Sequence, residues 1–174
     1  FTAEWAQVVR NLLKDQQESR LGVFYDDVQV LREDSFSDGF GITTLPFLLH
    51  ENIRNTANIY NWTSEKTKLG RDMIANPVEG PTPQTEIIQE KGQLPLALES
   101  LLKKYLADEH LSSRSLAILT DDIPYLEDLY ANGLAKWRFV HGPTSRDNEV
   151  SLYSVEEYKG LEADMVIYIH STTA

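Results

Sequence analysis

The chain contains no cysteine, which excludes disulfides and thiolate metal sites and favours a cytoplasmic setting. No apolar run approaches the roughly 20 residues that a membrane-spanning helix requires. The opening FTAEWAQ has neither the basic flank nor the apolar stretch of a secretory signal. It starts on Phe1 rather than Met, so we expect an excised piece of something longer, with functional parts outside it. Positive charge is scarce: 16 Lys and Arg stand against 27 Asp and Glu, a net −11. A tight, unaided grip on nucleic acid needs clustered cations against phosphates, so it is not expected of this piece alone. Also missing are the GxxxxGK[ST] phosphate loop, HExxH and GxSxG. The histidines His50, His110, His141 and His170 are scattered without metal-ligand spacing and read as surface or strand-end residues.

What is present is ordinary for a water-soluble globular chain: 174 residues, 41% apolar and 25% charged, enough for one compact domain with a small appendage. Residues 3–14 place Trp5, Val8, Val9, Leu12 and Leu13 on one helical face, with Thr2 as cap. LGVFY at 21–25 and LPFLLH at 45–50 read as strands. NTANIYNWTSEKTK at 55–68 reads as a helix capped by Asn55 or Thr56. NPVEGPTP at 76–83 is a loop, TEIIQ at 85–89 a short strand, and 94–106 a strongly amphipathic helix. A strand at 115–120 runs into a helix ending near Gly133, followed by strands at 137–140, 150–153 and 165–170. Strands alternating with helices, several apolar on both faces, predict a parallel sheet covered on each side. Asp121-Asp122 sits at the strand-to-helix junction, where helix capping is a better reading than a metal pair. Asn61-Trp62-Thr63 matches a glycosylation triplet, but falls inside a predicted helix. Taken alone, the residues lead as far as an α/β domain of nucleotide-related type.

Four segments carry more. FTAEWAQVVRNLLKD is a helix-forming opening. GVFYDDVQ holds Asp26 and Gln29 at a strand end. LLHENIRNTANI holds Leu49, Asn52, Arg54, Asn55, Thr56 and Ile59. SLYSVEEYKGLEADMVIYI holds Lys159, Gly160, Leu161, Glu162 and Val166. In this order they resemble landmarks of superfamily 1 DNA helicases of the UvrD and Rep type: the helix after the Walker B acidic pair, then motifs III (GDxxQ), IV and V (TxHxxKGLExxxV). Tyr25 stands where motif III usually has glycine.

The resemblance implies a RecA-like, P-loop-NTPase-type three-layer α/β domain with a mostly parallel sheet, lacking its own P-loop. It implies that residues 1–40 trail from a first RecA-like domain and that 41–174 form the second. ATP and Mg²⁺ would be bound mainly by the missing first domain, and single-stranded DNA by the whole motor. Arg54 would be an arginine finger and Gln29 would position the attacking water. Asp26 would support the Mg²⁺ region. Glu162 would accept from the ribose, Gly160 would let the backbone approach closely, and Lys159 would touch a phosphate. The residue-level alternatives are a structural Arg54 paired with a carboxylate, a strand-end Gln29, and solvated charges at Lys159 and Glu162.

Motif V also carries Thr and His that contact DNA. Here Ser154 and Glu156 take those places; serine can still donate to a phosphate, whereas glutamate repels it. Motif VI is expected beyond Ala174, and the span between motifs IV and V leaves little room for a large accessory insertion. Two alternatives stay open: a helicase-like ATPase acting on RNA polymerase, and a degenerate helicase-like interaction module.

Overall fold

The computed structural model describes residues 3–14, 19–23, 40, 50–68 and 73–171. The chain divides into two compact units, Phe1–Thr85 and Glu86–Ala174. Apart from Phe40, the segment around residue 40, where the sequence suggests a boundary, lies outside the described residues, as do Thr2, Asp26 and Gln29.

In the first unit, Ala3–Asn11 forms helix α1. Its small Ala6 is buried, while Trp5, Val8 and Leu12 on the expected apolar stripe are exposed, Leu12 by 79%. Amphipathic spacing defines a face but does not supply a surface to cover it. Helix α2 spans Ala57–Thr67, close to the expected 55–68. Thr56 holds the N-cap position, but its hydroxyl caps nothing. The strand expected at 45–50 lies outside the described residues except for His50, whose carbonyl accepts from the Ile74 amide at 2.6 Å. Next to it, Glu51 and Ile74 form an isolated parallel bridge. Leu21 to Val23 have no regular structure.

One strand expectation fails. TEIIQ is not a strand: residues 85–88 have no regular structure, and Ile87 is 85% exposed. Adjacent isoleucines favour extended backbone, but a strand also needs an edge to pair with, and none is offered among the described residues.

The second unit is built on Leu116–Thr120 (β1), Arg138–Val140 (β2), Glu149–Ser154 (β3) and Met165–Ile169 (β4). They form an all-parallel sheet in the order β2-β3-β1-β4. β1 and β3 are buried along nearly their whole length, as strands covered on both faces must be. β4 alternates, leaving Val166 and Tyr168 exposed. Helix α3 (Leu94–Leu102) starts with Pro95 in its first turn, where no amide hydrogen is needed. It buries Leu98 and Leu102, then relaxes into a π turn over Lys103–Asp108. Helix α4 (Ile123–Asn132) inserts Tyr125, Leu126 and Leu129 into the core. The fold class is therefore α/β with a parallel sheet.

Leu152 lies at the centre of this core and is fully buried between Val150 and Tyr153 on β3. Leu152→Ala should cost about 2–5 kcal/mol, read as a lower urea midpoint at an unchanged slope.

Candidate functional site

Parallel register sets the geometry. Thr120 pairs with Ser154 on one side and with Ile169 on the other, so β1, β3 and β4 end in line. The segments that follow, 121–122, 155–164 and 170–171, therefore leave from one edge. In open parallel sheets this carboxyl edge is where ligands are bound.

Four of the residues singled out in the sequence lie here. Ser154 ends β3 and is buried. Its hydroxyl donates to Glu157 Oε2 (2.8 Å), its amide donates to the same oxygen (3.0 Å), and its Oγ accepts from the Glu157 amide (3.3 Å). This reciprocal arrangement is a capping box, closing the turn that leads into Lys159 and Gly160. The Ser154 backbone amide and hydroxyl hold the Glu157 carboxyl below its usual range; slight burial opposes them and His141, at 3.7 Å, assists. The Ser154 hydroxyl, expected to face DNA, is thus engaged within the turn.

Gly160 has φ +87°, in the left-handed region that favours glycine, and a Cβ there would meet nothing within 4 Å. The backbone at that point is open to close approach. Lys159 and Glu162 flank it and are exposed. Beneath them the Tyr158 hydroxyl is buried without a hydrogen-bond partner among the described residues. Burial, followed by the charges of Tyr153 and Glu162, raises its pKa.

Beside this turn, the two aspartates after β1 divide their tasks. Asp122 accepts from the Tyr125 amide (3.0 Å), the capping role read from the sequence, and binds Lys91 Nζ at 2.7 Å. Lys91, then the Tyr125 amide, keep its pKa low. Asp121 faces the other way. Its Oδ1 accepts from the Ser171 amide (3.0 Å), and its Oδ2 accepts from the Tyr168 hydroxyl (3.1 Å) and meets His170 Nδ1. Partial burial is the largest influence and pushes this carboxyl up, but the Ser171, His170 and Tyr168 hydrogen bonds and the His170 charge outweigh it, leaving the pKa lowered.

Arg54 belongs to the first unit. It is exposed, on a turn held by the 73–80 segment. The Asn52 amide donates to Ile74 O (2.9 Å), Asn76 Nδ2 to Ile53 O (3.0 Å), and the Ala57 amide to Val78 O (2.7 Å). Gly80 (φ +68°) closes the segment against Thr56, whose side chain a Cβ would meet at 2.5 Å. Among the described residues no three carboxylate or imidazole groups gather into a cation site. No protein-family model matches the chain, and neither does any curated protein or solved structure.

Sequence reasoning missed Glu157 and the Asp121–His170 pairing. The first had a local signal, Ser-x-x-Glu in SVEE. The second joins residues 49 apart in sequence and had none.

Ser154→Ala removes the cap and should cost about 1 kcal/mol in urea unfolding. Asp121 and Glu157 ionise more readily folded than unfolded. Their stabilisation is full above the ordinary carboxylate range, near pH 4, and is lost as pH falls through the lowered folded values. Asp121→Asn deletes one share, so its urea midpoint should fall less steeply than the parent's below about pH 4. Identical acid limbs would show that the Asp121 clasp contributes nothing.

Proposed function

We infer that the chain is the second RecA-like domain of an ATP-dependent DNA helicase or translocase of superfamily 1. The observation that carries this reading is the Lys159-Gly160-Leu161-Glu162 loop at the carboxyl edge of a parallel sheet, with Gly160 in a conformation that favours glycine. The ordered resemblance of the other three segments supports it.

In this reading ATP supplies the free energy that opens and closes two domains, and Mg²⁺ is held chiefly by the first. The residues of this chain fit a supporting role. Glu162 is an exposed acceptor suited to ribose hydroxyls. The open backbone at Gly160 admits close approach, and Lys159 beside it can neutralise a phosphate oxygen. Arg54 offers a planar, always-charged fork of donors for phosphate oxygens. Gln29 would position water and Asp26 would support the metal region; both lie outside the described residues.

A second reading has its own observation. The Ser154 hydroxyl is committed to Glu157 and Glu156 is exposed where the family's histidine meets DNA, which weakens the strand contact. That favours a motor whose work is done on a protein such as RNA polymerase. Unwinding of a tailed duplex would decide for the helicase; co-purification with polymerase without unwinding would decide for the alternative.

Two outcomes are expected. The chain alone turns over no ATP. In the intact motor, Arg54→Ala lowers DNA-stimulated ATP hydrolysis by about 10³-fold or more while ATP still binds. Turnover by the pure chain, or an Arg54→Ala motor of normal rate, defeats the reading.

A further inference from the structure

We propose that the opposite, amino-terminal edge of the sheet carries an anion site for a phosphate group, built around His110, Arg114 and Arg146. It is independent of the motor reading and lies away from the Gly160 loop. The turn before β1 and the loop before β3 enclose an open cavity of about 420 Å³, walled by these three residues with Ser112, Ser113 and Asp147. The two walls are tied together. Ser113 Oγ meets Thr144 Oγ1 at 3.3 Å and Arg146 O at 3.5 Å. The loop is fixed by Glu149 Oε2, which accepts from the Ser145 (2.8 Å) and Arg146 (3.1 Å) amides.

Charge points to the ligand. Arg114, Arg138 and Arg146 are all the arginines beyond Glu86 in a chain of net charge −11. Arg114 precedes β1, Arg138 begins β2 and Arg146 precedes β3, so parallel register brings all three to one edge. Asp147, Glu149 and Asp164 share this edge, while the carboxylates of Asp121, Asp122, Glu156, Glu157 and Glu162 follow the strands at the other. Arg146 Nε is 3.8 Å from Glu149 Oε1 and is partly neutralised. The Arg114 guanidinium has no hydrogen bond or ion pair among the described residues; only its amide bonds, to Ser112 Oγ. That hydroxyl still has its proton to give. A guanidinium fork beside an imidazole and the Ser112 hydroxyl suits phosphate oxygens. Asp147 on the same wall opposes an anion, so charge changes of opposite sign are available within one site.

The test is amide NMR of the whole chain titrated with inorganic phosphate, against sodium chloride at equal ionic strength. Phosphate should shift the 112–114 and 145–147 amides saturably, and chloride should not. Arg114→Gln should weaken binding about tenfold, the loss of one charge-assisted hydrogen bond. Asp147→Asn should tighten it. Both side chains are exposed, so unchanged amide dispersion elsewhere verifies the fold. A parallel titration with an oligothymidylate identifies the source of the phosphate. Tighter binding than inorganic phosphate, sensitive to Arg114→Gln, assigns the site to a nucleic-acid diester; response to inorganic phosphate only assigns it to a free phosphate. Shifts absent with both ligands, or indifferent to both substitutions, overturn the proposal.

Discussion

The in-register parallel pairing of β1 with β3 and β4 is the constraint from which the rest of the second unit follows. Parallel strands cannot turn back on themselves, so every connection must cross from one edge of the sheet to the other. With Thr120, Ser154 and Ile169 level, the segments after three strands emerge together, although they lie far apart in sequence. The register depends on a core in which Leu116, Ile118, Val150 and Leu152 are almost completely enclosed. Slipping any central strand by one residue would exchange its two faces.

That edge collects acidic side chains, and the structure shows how it tolerates them. Asp121, Asp122 and Glu157 each accept from backbone amides as well as from side chains. An amide dipole stabilises a carboxylate without introducing a long, entropically costly cation, which suits a chain with so few lysines and arginines. The same bonds do structural work. Asp122 starts α4, Glu157 closes the turn into Gly160, and Asp121 clasps the chain as it leaves β4.

The legible parts of the sequence were those decided by local periodicity and punctuation. The helix after Leu94, the strand and helix from 115 to 133, and the three later strands lie within a few residues of where alternation, Pro and Gly place them. Asp122 was read correctly as a cap because a cap is a local bargain between one side chain and an amide three residues on. Where the outcome depended on a distant partner, sequence was mute or misleading. Ile87 and Ile88 have strand propensity but no strand partner among the described residues, and Trp5, Val8 and Leu12 on the apolar stripe of α1 are exposed. Ser154 shows a local pattern that was legible but unread: with Glu157 it forms the Ser-x-x-Glu cap of the turn. Asp26 and Gln29 lie outside the described residues.

The charge distribution also bears on how a nucleotide could be held. Around Gly160 the cations are Lys159 and, already paired with Asp122, Lys91; the anions are Asp121, Asp122, Glu156, Glu157 and Glu162. A polyphosphate approaching this edge alone would meet net repulsion, and several like charges at short range outweigh one exposed lysine. The ribose is neutral and is served well by a carboxylate acceptor. An edge of this kind is suited to one end of a nucleotide, provided that the phosphates are neutralised by cations from elsewhere. The edge offers an acceptor and an open backbone, but little of the positive charge that phosphoryl transfer demands.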